Sequence, residues 1–128
     1  MGQSCIPLVR EVMVLQIAGK KVKDTLVVSL EGELDHHTSS EVRAYIDNLL
    51  EDPTIRNLII DMKKLKFMDS SGLGVLLGRY KIISRRGGEL GVTGINTQID
   101  RIFVVSGLYK IIKAYDGLKQ ALNDIGGY

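Results

Sequence analysis

The stretch Phe67-Met68-Asp69-Ser70-Ser71-Gly72-Leu73-Gly74-Val75 is where this chain turns from extended to helical backbone. Asp and Ser start helices because a short side-chain oxygen accepts hydrogen bonds from the first free N–H groups, a contribution of about 1 kcal/mol. Downstream, Leu73, Leu76, Leu77, Tyr80 and Ile83 recur at helical spacing, and Gly87-Gly88 is the stop signal. Upstream, Leu58-Ile59-Ile60 is too short for a helix and apolar at consecutive positions, so it reads as a central strand covered on both faces and ended by Asp61.

The same alternation extends to both ends. Met13, Leu15 and Ile17 alternate with their neighbours, Gly19 to Asp24 is a polar turn, and Leu26, Val28 and Leu30 alternate again, which predicts a hairpin ending at Glu31-Gly32-Glu33-Leu34-Asp35. Thr38 and Glu41 have the spacing of a capping box, ahead of a helical stripe of Val42, Tyr45, Ile46, Leu49 and Leu50 that Pro53 stops. Leu90-Gly91-Val92 predicts another strand, and Asn96 or Thr97 caps a third helix carrying Ile99, Ile102 and Phe103 up to Gly107. Ile111-Ile112 gives a last short strand, and Asp116 caps a terminal helix through Leu118, Ala121 and Leu122. The expected fold is a single α/β domain, a small mixed sheet of about four to five strands packed with about four helices over residues 13–128. Residues 1–12 show no clear periodicity and are expected to form an N-terminal extension.

A chain of 128 residues suits one core and one site. Lys and Arg number 17 against 15 Asp and Glu, scattered along the chain, and there is no Trp and no aromatic string for stacking bases, so nucleic acid is not an expected partner. No apolar run approaches the ~20 residues that cross a bilayer, and the lone Cys5 has no disulfide partner, so a cytoplasmic setting away from the membrane is expected.

Few residues offer chemistry. His36 and His37 are adjacent, and on an extended segment they would face opposite ways, which does not make a metal site. Glu33, Asp35, Asp61 and Asp69 fall near strand ends, where turn and cap formation competes with acid–base work. Gly72-Leu73-Gly74 lacks the third glycine of a dinucleotide fingerprint. No set of nucleophile, base and orienting group is visible, so the chain is not expected to be an enzyme; a small hydrolytic site of Asp35, Asp69 and a histidine is the competing reading.

The helix after Asp69 carries a different signal. Opposite its apolar stripe lie Ser71, Gly74, Val75, Gly78, Ile82 and Arg85. Interior helix glycines cost about 1 kcal/mol each relative to alanine, so Gly74 and Gly78 call for a reason. One reason is a docking strip formed with Gly72, Val75, Ile82 and Arg85; burial of this helix on two sides within its own domain is the other. A serine at such a helix start suits a phosphorylation switch, because N–H donors and the helix dipole favour phosphate there. On position alone, Ser70 and Ser71 both qualify.

Gly32-Glu33-Leu34-Asp35-His36-His37-Thr38, the block Phe67 to Val75, Gly78-Arg79-Tyr80-Lys81, Ser106-Gly107-Leu108 and Lys110-Ile111-Ile112 together resemble the bacterial anti-sigma factor antagonists of the STAS-domain family. The likeness begins at about Met13, and the Gly-Glu-Leu-Asp-His-His-Thr run resembles the sporulation branch; a module of a general-stress or scaffold signalling system is the alternative. The resemblance implies partner switching. The unphosphorylated form would bind an anti-sigma factor that is also a serine kinase, releasing a sporulation sigma factor. Phosphorylation of Ser70 would end binding, with Asp35, Asp69 and Ser71 supporting the site. ATP would be supplied by the partner kinase, so this chain needs no cofactor of its own, and a PP2C-like serine phosphatase would reset it.

Overall fold

The computed structural model describes residues 4–10 and 13–127. In chain order its elements are β1 (Ser4–Arg10), β2 (Met13–Val22), β3 (Thr25–Leu34), α1 (Ser39–Leu49), β4 (Asn57–Met68), α2 (Ser70–Arg85), β5 (Leu90–Thr93), α3 (Thr97–Ser106), a 3₁₀ turn (Leu108–Lys110), β6 (Lys113–Tyr115) and α4 (Leu118–Gly126). The strands form one sheet in sequential order. The pairings β1–β2 and β2–β3 are antiparallel, and those from β3 to β6 are parallel. The expected mixed α/β architecture is present, with one strand more than the range anticipated, because Ser4–Arg10 within the expected extension pairs with β2.

Alternation along the strands divides the apolar side chains between two faces. Leu26, Val28 and Leu30 of β3 and Leu58, Ile60 and Met62 of β4 point into the larger core, which α1, α2 and α3 close with Val42, Ile46, Val75, Leu76, Ile83, Ile99 and Phe103. Val27 and Ile59 point the other way, where Ala121 of α4 and Tyr115 cover them. The consecutive apolar run Leu58-Ile59-Ile60 is thus buried on both faces, as its composition predicts.

Several local expectations are corrected. β4 does not end at Asp61 but continues to Met68. Its register with β3 shifts between Ser29 and Glu31 and again between Gly32 and Glu33, so Met62, Leu65 and Met68 all face inward at a spacing of three. Those bulges hide the strand from a period-two reading. The capping box of Thr38 does not form: its hydroxyl donates to the Glu33 carbonyl at 3.0 Å and accepts from the Asp35 N–H at 3.1 Å. The last strand is Lys113–Tyr115 rather than Ile111-Ile112, because Ile112 is drawn into the core from the turn before it. Gly117, not Asp116, stands at the start of α4, and the Asp116 N–H donates instead to the Gln120 side chain at 3.2 Å.

Beyond the far end of α1, Asp52 ties its loop to β2, accepting from Thr54 and, at 3.0 Å, from the Lys21 ammonium. Hydrogen bonds from Thr54 and then Lys21 hold its carboxyl at about 2, below the ordinary 3.8. A depressed carboxyl pKa stabilises the fold above the ordinary value and loses that effect as pH falls through the depressed one. Wild type is therefore expected to melt above an Asp52→Asn variant at neutral pH, with the gap closing as the pH of the melt falls from about 4 to 2.

Candidate functional site

The site is built where two parallel strands end together. Leu34 of β3 is registered with Met68 of β4, and the Asp69 N–H donates to the Leu34 carbonyl at 3.2 Å. Asp35 and Asp69 therefore leave the sheet side by side at the carboxyl ends of parallel strands, the position at which such sheets usually carry ligands.

From there α2 begins at once. Asp69 is its N-cap, in extended conformation, with its carboxylate accepting the Ser71 N–H at 2.8 Å and its carbonyl accepting the Gly72 N–H at 3.0 Å. Ser70 is the first helical residue and is exposed, whereas Ser71 is half-buried. Position leaves the two hydroxyls equivalent; accessibility separates them.

Asp35 is buried, and its Oδ1 accepts the N–H groups of His37 at 2.9 Å and Thr38 at 3.2 Å. The carboxylate thereby shapes the turn that leads into α1. His36 and His37 lie in that turn with ring centroids 3.9 Å apart, not on opposite faces of an extended segment as expected. Among the described residues no three His, Cys, Asp or Glu side chains gather into a group able to hold a metal ion. Glu33 is half-buried on β3, and Asp61 lies partway along β4, registered with Ser29 and accepting from the Lys63 N–H at 3.0 Å. Of the four strand-end carboxylates, the sheet places only Asp35 and Asp69 at the start of α2.

The expected docking strip divides in two. Gly72 faces inward: a Cβ there would stand 2.3 Å from Met68 Cγ and 3.1 Å from Leu34, so glycine lets the first turn press onto the two strand ends. Val75 is buried and Ile82 packs against the core, so these three belong to the domain interior. Among the described residues nothing outside the helix backbone lies within 4 Å of a Cβ added at Gly74 or Gly78, and Arg85 is exposed. With Ser70, Leu77 and Lys81 they form the outward stripe of α2.

Apolar spacing places Leu77 inside, yet it is 38% exposed, because the inward position falls to Arg79. The Arg79 Nε lies 3.0 Å from Asp47 of α1, and its Nη1 donates to the Val75 carbonyl at 3.3 Å. Burial pushes the guanidinium pKa down and the Asp47 charge opposes that shift. The pair fixes α2 against α1. A charged residue at a core-facing position displaces Leu77 from the stripe that apolar spacing implies while Leu76 and Ile83 stay buried, which is why Leu77, 38% exposed, does not stand out in the sequence as a surface group.

Comparison with known proteins agrees with this geometry. Residues 16–121 match the STAS domain. The chain is 44% identical over 113 residues to an anti-sigma F factor antagonist of Paenibacillus polymyxa, covering 88% of this chain and 97% of that one. It belongs to the STAS-domain family, among the anti-sigma factor antagonists. Among solved structures, the anti-sigma factor antagonist SpoIIAA in its unphosphorylated form is similar with a TM-score of 0.78 at 27% identity, over 88% of this chain and 97% of that one. SpoIIAA of Bacillus in its phosphorylated form gives 0.69 at 27% identity, over 85% and 98%. Among the described residues no helix is long and apolar enough to cross a membrane.

The two kinds of glycine in α2 should respond oppositely to alanine. Gly72→Ala is expected to destabilise the fold by about 1–3 kcal/mol through overpacking against Met68. Gly74→Ala, open to solvent, should stabilise it by about 1 kcal/mol. Urea unfolding midpoints of the two variants against wild type check both signs.

Proposed function

We propose that this chain is an anti-sigma factor antagonist switched by phosphorylation of Ser70. The observation that carries the proposal is the exposed hydroxyl at the first position of α2, at the head of an outward stripe in which Gly74 and Gly78 leave the helix backbone open. Unphosphorylated, this stripe receives an anti-sigma factor that is also a serine kinase, and the sporulation sigma factor held by that partner is released. The missing side chains let the partner approach the helix closely, and Leu77 supplies apolar area at the middle of the contact.

The kinase brings ATP. The Ser70 Oγ attacks the γ-phosphorus, the bond to the β-phosphate oxygen breaks, ADP leaves, and the hydroxyl proton passes to a base or to solvent. Asp69 and Asp35 position the acceptor by holding the helix start and the neighbouring turn. The fold tolerates the product, since a phosphate on the exposed Ser70 stands in solvent at the positive end of the helix dipole. The docked partner does not, because about −1.5 to −2 charges would be desolvated against it. A penalty of ~3 kcal/mol weakens binding about a hundredfold. A PP2C-like phosphatase then hydrolyses the ester and returns the chain to its binding state. The chain itself acts as ligand and substrate.

The test uses the purified anti-sigma F factor of Paenibacillus polymyxa, the cognate partner of the 44% identical relative. With ATP, wild type should gain one phosphate and Ser70→Ala none, as read by intact mass and site mapping. Ser70→Asp should bind roughly a hundredfold more weakly. Phosphate persisting on Ser70→Ala would overturn the assignment to Ser70, and absence of any binding by wild type would favour a module of another signalling system.

A further inference from the structure

Past Asp61, β4 keeps its partner on one side and loses it on the other. It pairs with β3 as far as Met68, but with β5 only from Leu58 to Asp61. β5 leaves because Gly94, at φ 74°, carries the chain across β4: a Cβ there would lie 2.6 Å from both N and Cα of Lys63. The main-chain groups of β4 beyond that crossing face the start of α3. Buried or half-buried polar groups left unmade are costly, so something must meet them.

Two side-chain amides do so. Asn96, the N-cap of α3, accepts from the Ile99 N–H at 2.9 Å while its Nδ2 donates to the Leu65 carbonyl at 3.1 Å and the Lys66 carbonyl at 3.4 Å. Gln98 accepts the Met68 N–H at 3.2 Å through Oε1 and donates to the Met68 carbonyl at 3.0 Å through Nε2. The Gln98 amide gives one bond and takes one, as the main chain of a neighbouring strand would. Met68 is the junction of the site: its side chain lies under Gly72, its register partner is Leu34, and Asp69 and Ser70 follow it directly.

We propose that Gln98 is a positioning residue for phosphotransfer, its amide fixing the Met68 main chain and hence where the Ser70 hydroxyl is presented. The inference rests on the Ser70 reading above. Gln98 is not itself at the reacting atoms; it acts through the strand end. Phosphotransfer depends on in-line approach of the acceptor, and a displacement of about 1 Å can cost as much as a hundredfold in rate. Docking through Gly74, Leu77 and Gly78 lies further along α2 and does not require that accuracy.

The test variant is Gln98→Met, which keeps length and volume and removes both hydrogen bonds. With the Paenibacillus polymyxa anti-sigma F factor and ATP, kcat for phosphorylation should fall about tenfold with KM for the antagonist unchanged. Hydrogen exchange at the Met68 amide should quicken about tenfold more than at the β2–β3 amides, whose smaller change reports the fall in melting temperature that the two unmade bonds cost, and the variant stays folded at the assay temperature. A folded Gln98→Met phosphorylated at the wild-type rate overturns the proposal, as does a loss that merely tracks the unfolded fraction. Should that variant fail to fold, Gln98→Glu replaces it, since it keeps the acceptor for the Met68 N–H and loses the donor to its carbonyl: a slowed kcat supports the proposal and a wild-type rate overturns it. Wild type that gains no phosphate on Ser70 brings down the Ser70 reading and this inference together; wild type that gains it while Gln98→Met does so equally well brings down this inference alone.

Discussion

The parallel pairing of β3 with β4 up to Leu34 and Met68 is the constraint on which the rest depends. Strands that ended at different heights would separate Asp35 from Asp69 and leave α2 without a floor for its first turn. Because they end level, the Asp69 N–H reaches the Leu34 carbonyl, Gly72 settles onto Met68 and Leu34, and Ser70 emerges into solvent at the helix start. The level ending itself depends on the two register shifts in β3–β4, which absorb extra residues of β4 without breaking the ladder.

Stability and function pull apart along α2. Its inward side is tightly filled, with Val75, Leu76 and Ile83 in the core and Arg79 paired to Asp47. Its outward side gives up about 1 kcal/mol at each of Gly74 and Gly78, and no neighbouring atoms among the described residues account for that cost. Helical glycines open to solvent make sense where another molecule must come close to the backbone. The exposed Leu77 between them fits the same role.

Much of this is legible in the residues. Asp69 and Asn96 as caps, and Gly87 and Gly107 as helix ends, follow from local chemistry and stand in the structure. Gly74 and Gly78 on the outward side follow from helical spacing. What the residues hide shares a physical cause: a long-range partner overriding a local pattern. Bulges against β3 conceal the second half of β4, pairing with β2 orders Ser4–Arg10, Asp47 draws Arg79 inward and turns Leu77 out, and Met68 claims Gln98 from what reads as an ordinary helix face. Thr38 reads as a cap because Glu41 follows it at the right distance, yet its hydroxyl is taken by the strand end instead.

Partner switching of this kind comes down to one phosphate changing one affinity. Calorimetric titration of the Paenibacillus polymyxa anti-sigma F factor with this protein, before and after stoichiometric phosphorylation at Ser70, measures that change directly. The dissociation constant should be about a hundredfold larger for the phosphorylated form, with folding intact by circular dichroism. Equal affinity of the two forms would contradict the switch.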